Sequence, residues 1–139
     1  MEHEDHLWSE LHELIDSLPR DSVERPGYFA EGWSAKDLVG HLGSWLAEAG
    51  AALERIRFGT YRAQEIDIDA MNERFYRALV EAAYADVVAQ AHAARARMLA
   101  AWGALVEPSS DADRWVRKAG PDHYGEHLPR LREWMSELT

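Results

Sequence analysis

Apolar side chains recur at every third or fourth position through most of the chain, which is the spacing of one face of an α-helix. The first such stripe runs from Leu7 to Leu18 and is followed by Pro19. Because proline lacks a backbone N–H and disfavours a helical residue before it, the pattern predicts a helix that ends before Pro19. Residues 20–32 show no clear period and are predicted to form a loop.

A second helix is predicted to begin at Gly32-Trp33-Ser34. Ser34 and Asp37 have the spacing of a capping box, in which the hydroxyl and the carboxylate each accept a hydrogen bond from a backbone N–H at the helix start. Gly59 is predicted to end this helix. Its apolar stripe contains Leu38, Leu42, Trp45, Ala49, Leu53 and Ile56.

Helical spacing returns over residues 67–105, and the pattern does not decide between one long helix and two helices joined near Ala83. Residues 106–119 contain Pro108 and two serines and are predicted to form a loop, with room for a short turn around Trp115. Pro121 favours the first turn of a last helix, because its missing N–H has no partner there anyway. The apolar stripe of that helix ends at Leu138.

These segments predict an all-α protein. No run alternates between apolar and polar residues over a useful length, so strands are not expected. Four long amphipathic segments in one chain indicate a four-helix bundle, formed by a single domain over residues 1–139. The long connections at residues 20–32 and 106–119 are compatible with an order other than a simple up-down alternation.

Composition narrows the possible functions. The chain contains no cysteine, which excludes disulfides, cysteine-ligated metals and a cysteine nucleophile. Its formal charge of −10 disfavours a broad nucleic-acid-binding face. The N-terminus has no basic region followed by an apolar run, and no apolar stretch is long enough to span a bilayer. We therefore expect a cytoplasmic protein that acts without nucleic acid or membrane.

Three of the seven histidines form the candidate site. His123 and His127 are four residues apart on the last helix, so their rings lie on the same side, one turn apart, at the border of the apolar stripe. His41 occupies the corresponding border of the second helix. Three imidazoles would leave coordination positions open on a metal ion, which is typical of catalytic and not of structural sites.

A site with nitrogen ligands alone suits zinc, nickel, iron or copper. The alternative is that the three histidines are ordinary hydrogen-bonded core residues. His3, His6, His12 and His92 are predicted to be solvated or half-buried. Trp45 and Tyr124 are the candidates for side chains that line a ligand pocket over the histidines.

Two segments resemble a known family. Residues 32–42, GWSAKDLVGHL, resemble the second-helix signature of the DinB-like superfamily, which includes the mycothiol-dependent maleylpyruvate isomerase N-terminal domain. Residues 123–134, HYGEHLPRLREW, resemble its last-helix signature with the paired histidines, and residues 67–76 resemble the start of its third helix. The resemblance extends over nearly the whole chain in order and spacing.

The resemblance implies an up-down-down-up four-helix bundle that forms a homodimer. It also implies a divalent metal, zinc or nickel, held by His41, His123 and His127, which activates a low-molecular-weight thiol such as mycothiol or bacillithiol for S-transfer or isomerisation. The partners would then be a small-molecule thiol and an electrophile. The alternatives are a non-catalytic metal- or ligand-binding protein with a role in stress protection, and a metal-dependent hydrolase.

Overall fold

The structure, a computed structural model, describes residues 1–26 and 32–138. Within these residues it contains helices and no strand, as expected. There are six helices, two more than the four predicted. They are α1 (Glu2–Ser17), α2 (Ala35–Arg57), α3 (Ile68–Leu79), α4 (Tyr84–Gly103), α5 (Ser110–Ala119) and α6 (Pro121–Leu138).

Most of the predicted helix ends are confirmed. Helix α1 ends at Ser17, and α6 begins at Pro121. Helix α2 ends just before Gly59, which has a positive φ of 74° that favours glycine. The capping box is complete, because the Asp37 backbone N–H donates to Ser34 Oγ at 3.2 Å and the Ser34 backbone N–H donates to Asp37 Oδ2 at 3.0 Å. The predicted loop at residues 20–32 lies partly outside the described residues.

Two segments differ from the simplest four-helix picture. Residues 67–105 form two helices, α3 and α4, because the backbone at Ala83 is extended. The prediction of a loop over residues 106–119 was wrong for most of its length, since α5 occupies residues 110–119. Ser109 caps this helix by accepting from the Ala112 N–H. The segment was not recognised as a helix because its sequence is mostly polar and its apolar face is short. That face is formed by the buried Ala112, Val116 and Ala119.

Helices α2 and α4 form the closest-packed pair. Gly43 lies against Ala91, and Gly50 lies against Met98, so the two helices run side by side in the same direction. A side chain at Gly43 would come within 2.9 Å of the Ala91 backbone, which explains why the apolar stripe of α2 is interrupted by glycine at this point. The core of the bundle is formed by fully buried side chains of α1, α2, α4 and α6, which include Leu11, Leu42, Leu46, Leu53, Met98 and Trp134.

Helix α3 is attached differently from the others, because none of its residues is buried. Its C-terminal end is held by Lys36 of α2, whose buried Nζ donates to the carbonyl oxygens of Val80 and Ala82 at 2.8 and 3.0 Å. Glu24 completes the surroundings of this ammonium group at 3.2 Å. Lys36 therefore places α3 against α2, beside the histidines described next.

No helix in the described part of the chain combines the length and the apolar character that crossing a bilayer requires.

Candidate metal centre

The three predicted histidines come together at one place in the fold. His41 lies in the second turn of α2, and His123 and His127 lie in the first two turns of α6. One ring nitrogen from each residue lies within 4.8 Å of the other two. His41 Nε2 and His123 Nε2 are 2.8 Å apart, and the three pairs of ring centroids are separated by 4.6, 4.9 and 5.3 Å.

The surroundings keep the rings neutral. Burial, followed by the nearby His127, lowers the pKa of His41 to about 4. Burial, followed by His41 and His127, lowers the pKa of His123 to about 3. A neutral imidazole carries the lone pair that a metal ion requires, so both rings are in the ligating form at neutral pH.

Contacts behind the rings fix their orientation. The His123 ring donates a hydrogen bond to the backbone carbonyl of Ala119, and this bond raises the pKa of the ring. Since Nε2 of His123 faces His41, the donor is Nδ1, and Nε2 keeps its lone pair for the centre of the cluster. Trp33 packs against His41 with its ring centroid at 4.7 Å. His41 Nδ1 is buried and has no hydrogen-bond partner among the described residues.

The donor set fits a divalent metal ion. Three imidazole nitrogens from two helices can surround one ion with bonds of about 2 Å, because ligands at that distance lie about 3–4 Å apart. In the structure the three ligand atoms lie within 4.8 Å of one another, which is close to that separation. Among the described residues, no other group of three histidine or carboxylate side chains has this geometry.

The histidines open into a cavity of about 1050 Å³. This volume is at the upper end of the range for small-molecule sites. The walls come from α2, the segment before α3, α3, α5 and α6, and they are rich in aromatic residues. The aromatic residues that line it, besides the three histidines, are Trp33, Trp45, Tyr61, Tyr76 and Trp115.

Of the two side chains predicted to line a pocket, Trp45 lies in this cavity wall. Tyr124 does not, and this prediction was wrong in its placement. Its side chain is completely buried on the opposite side of α6, where its hydroxyl donates to Glu4 Oε2 at 3.0 Å. Adjacent residues of a helix point about 100° apart, so His123 and Tyr124 cannot face the same space. His3 and His6 are exposed, and His12 and His92 are half-buried, as predicted.

Most of the cavity lining was not anticipated from the sequence, including one residue from each of three segments. Asn72 comes from α3, Tyr61 from the segment before it and Trp115 from α5. The sequence did indicate the helix that carries Trp115, because Ala112, Val116 and Ala119 have helical spacing. Tyr61 lies in a segment without a period, so no local pattern could have placed it.

Comparisons with known proteins agree with this arrangement. The profile of the mycothiol maleylpyruvate isomerase N-terminal domain matches residues 5–138. No curated protein matches the chain significantly. Among solved structures, an uncharacterised protein from Escherichia coli UTI89 is similar with a TM-score of 0.81 at 18% identity, over 97% of this chain and 90% of that chain. At this identity the likeness shows a shared fold.

Proposed function

The chain belongs to the mycothiol maleylpyruvate isomerase N-terminal domain family, within the DinB-like superfamily, and from that premise we propose that it is a metal-dependent S-transferase or isomerase. In this proposal His41, His123 and His127 hold one divalent ion, zinc or nickel. The co-substrate is a low-molecular-weight thiol, mycothiol or bacillithiol, and the second substrate is a small electrophile.

The observation that carries the proposal is the cluster of three ring nitrogens within 4.8 Å at the wall of a large cavity. A bound divalent ion supplies Lewis acidity, which lowers the pKa of a thiol and favours the nucleophilic thiolate. Three protein ligands leave room in the coordination sphere for such a group. Because the chain has no cysteine, the thiol must come from a second molecule.

The protein's own side chains perform three tasks in this scheme. The three histidines bind the ion, and burial keeps His41 and His123 deprotonated by lowering their pKa values. The Ala119 backbone and Trp33 hold the rings of His123 and His41 in place. The aromatic walls contributed by Trp45 and Trp115 reduce the access of water to the ligand.

We propose an up-down-down-up order for the long helices α1, α2, α4 and α6. Three sets of contacts support it. Helices α2 and α4 run in the same direction. Glu4 contacts Tyr124 and Glu10 contacts Arg132, which favours the same direction for α1 and α6. Glu4 also contacts Arg95 and His12 contacts His92, which favours opposite directions for α1 and α4.

We further propose that the protein acts in the cytoplasm as a homodimer, on small molecules and without nucleic acid or membrane. The absence of cysteine fits a reducing compartment, and the formal charge of −10 repels phosphate backbones. Light scattering coupled to size exclusion measures the oligomeric state directly, and a monomer at micromolar concentration would contradict the dimer.

The test is elemental analysis of tag-free protein, combined with a thiol-consumption assay that contains mycothiol or bacillithiol and a model electrophile. We expect about one divalent ion per chain in the wild type, and we expect both the ion and turnover to be lost in His127→Ala. The matched control is His6→Ala, which removes an exposed histidine of α1 and should change neither quantity.

The possible results separate the candidate functions. Equal thiol consumption by the wild type and His127→Ala contradicts metal-dependent catalysis. Stoichiometric metal without turnover favours the non-catalytic binding protein, and metal-dependent hydrolysis without any thiol favours the hydrolase. Absence of metal from the wild type, together with no rise in melting temperature on adding zinc or nickel, contradicts the metal site itself.

A further inference from the structure

A second, much smaller cavity of about 10 Å³ lies between the start of α2 and α3. His41 lines both this gap and the large cavity. Nε2 of the His41 ring points at His123, so Nδ1 points away from the cluster of three histidines. This Nδ1 is buried and has no hydrogen-bond partner among the described residues. The volume of the gap is just sufficient for one water molecule.

The hydrogen bonds of the cluster determine which nitrogen of His41 carries a proton in the metal-free protein. His123 Nδ1 donates to the Ala119 carbonyl, so His123 Nε2 can only accept. Its partner at 2.8 Å, His41 Nε2, must therefore donate. A neutral imidazole has a single N–H group, which leaves Nδ1 of His41 as a bare lone pair. In this tautomer Nδ1 needs no acceptor.

His41 must change its tautomer before Nε2 can bind a metal ion. A ligating nitrogen needs its lone pair, so the one proton of the neutral ring then sits on Nδ1. A buried N–H group without an acceptor is costly, and metal-bound histidines normally donate this proton to a carboxylate, a backbone carbonyl or water. A ligating His41 therefore requires an acceptor on the Nδ1 side of its ring.

Asp37 is placed to be that acceptor. It lies one turn before His41 on α2, and helical side chains point back towards the N-terminus, so the His41 ring lies over the turn that contains Asp37. Both residues line the gap, and Asp37 contributes the only carboxylate around it. Its Oδ2 accepts from the Ser34 backbone N–H at 3.0 Å, whereas its Oδ1 has no partner among the described residues.

The other polar side chains around the gap are less suited to accept a proton from His41. Asn72 uses its Oδ1 to accept from Trp45 Nε1 at 2.7 Å, which leaves only its NH₂ group, a donor. Lys36 can only donate, and its ammonium group is held by carbonyl oxygens at the end of α3. The Tyr76 hydroxyl remains, but a neutral oxygen accepts less strongly than a carboxylate.

We propose that Asp37 is a positioning residue for the metal centre, whose carboxylate accepts the His41 Nδ1 proton, through one water molecule in the gap, when His41 Nε2 binds the ion. The same side chain then caps α2 and stabilises the ligating tautomer of His41. The inference rests on the metal site of the proposed function, and it does not depend on the thiol or on the reaction.

Asp37→Asn tests the acceptor with the smallest change of shape. The Asn oxygen takes the Ser34 N–H, and an NH₂ group replaces the free carboxylate oxygen. A donor at this place suits the bare Nδ1 of the metal-free tautomer and opposes Nδ1–H. We expect zinc affinity, measured by competition with a chromogenic chelator, to fall by about 10-fold or more. Asp37→Glu keeps a carboxylate and the capping box, and it should bind zinc more tightly than Asp37→Asn.

Ser34→Ala is the matched control for the helix cap. It removes the other half of the capping box, in which Ser34 Oγ accepts from the Asp37 N–H at 3.2 Å. It keeps the Ser34 backbone N–H to which the Asp37 carboxylate is bound. The helix start is weakened in this variant, but zinc affinity should stay within about 2-fold of the wild type, since the acceptor for His41 is retained. Circular dichroism checks that each variant is folded.

Long-range ¹H–¹⁵N NMR spectra of the histidine side chains show directly which ring nitrogen carries the proton. The His41 signals are assigned by their loss in His41→Gln. In the wild type we expect the His41 proton on Nε2 in the metal-free protein and on Nδ1 in the zinc-bound protein.

The inference is overturned if Asp37→Asn binds zinc as tightly as the wild type, or if Ser34→Ala loses as much affinity as Asp37→Asn. A His41 proton on Nδ1 in the metal-free protein would also overturn it. In these cases the wild type still binds zinc, so the proposed function stands. A wild type that binds neither zinc nor nickel would contradict the metal centre of the proposed function, and this inference would fall with it.

Discussion

Two neighbouring residues of helix α6, His123 and Tyr124, belong to two different polar clusters. His123 faces the cavity, where three imidazoles meet. Tyr124 faces α1 and α4, where its hydroxyl meets the buried carboxylate of Glu4. Arg95 binds both oxygens of that carboxylate, at 2.8 and 2.6 Å, and stacks over Trp8 with its guanidinium 5.1 Å from the ring centroid.

The two clusters differ in whether their polar groups face protein partners or an open cavity. Both carboxylate oxygens of Glu4 accept bonds from Arg95 or Tyr124, so the charged cluster has nothing left to offer to a ligand. In the histidine cluster, Nε2 of His41 and Nε2 of His123 lie 2.8 Å apart beside an open cavity, so a metal ion could take the place of the proton between them. A buried network whose polar groups all have protein partners specifies how helices pack. A cluster whose polar groups face an open cavity is available to bind a ligand. By this criterion the Glu4 cluster is structural, and the histidine cluster is available for the metal ion that we propose.

The largest effect is expected for Glu4→Ala. This change leaves the Tyr124 hydroxyl without its buried partner and leaves the Arg95 guanidinium with the exposed Asp5, and it should lower the free energy of unfolding by about 3–4 kcal/mol. Urea denaturation measures the change, with Glu13→Ala at an exposed position of the same helix as the control. Metal content per folded chain should not change. A loss below about 1 kcal/mol would show that Glu4 is not the centre of this network.

A smaller effect is expected from acid in the metal-free protein. The unfolded chain takes up protons on histidine near the ordinary pKa of about 6.5, whereas folding lowers the pKa of His41 to about 4 and of His123 to about 3. The contribution of these rings to stability is therefore fully present above pH 6.5 and is lost as the pH falls towards 4.

Between pH 7 and pH 5 we expect the free energy of unfolding to decrease by about 2 kcal/mol because of this pair, less than the full shifts would imply, since both rings are partly open to the cavity. The measurement compares urea denaturation of the wild type and the His41→Gln/His123→Gln variant at both pH values. His92, whose pKa is also lowered by burial, contributes equally to both proteins. Equal pH dependence in the two would contradict the prediction.

The smallest effect is expected for Tyr124→Phe. It removes one hydrogen bond to Glu4 and leaves both bonds from Arg95, so the free energy of unfolding should decrease by about 1.5 kcal/mol. Tyr76→Phe, at a side chain that is 38% exposed, is the control. Metal content should stay at the wild-type value although Tyr124 adjoins His123. Loss of metal in Tyr124→Phe would mean that the two clusters are coupled.

Local patterns were sufficient for much of the architecture. The ends of α1, α2 and α6 follow from Pro19, Gly59 and Pro121, whose backbone restrictions act within a few residues. The meeting of His41 with the histidine pair, 82 or more positions away, was predicted from the position of each histidine at the border of an apolar stripe together with the resemblance to the DinB-like superfamily. Apolar periodicity reports which side of a helix faces inward, and this is a property of the sequence.

Other features arose from contacts between distant segments. Helix α5 was missed because its apolar face consists of only three small buried positions in a polar sequence. Tyr124 was assigned to the cavity, but its direction depends on the packing of α1, which brings Glu4 to it. The orientation of the Asn72 amide depends on Trp45, 27 residues earlier. Periodicity along one helix carries no information about which neighbour supplies a hydrogen-bond partner, so these contacts exist only once the helices are assembled.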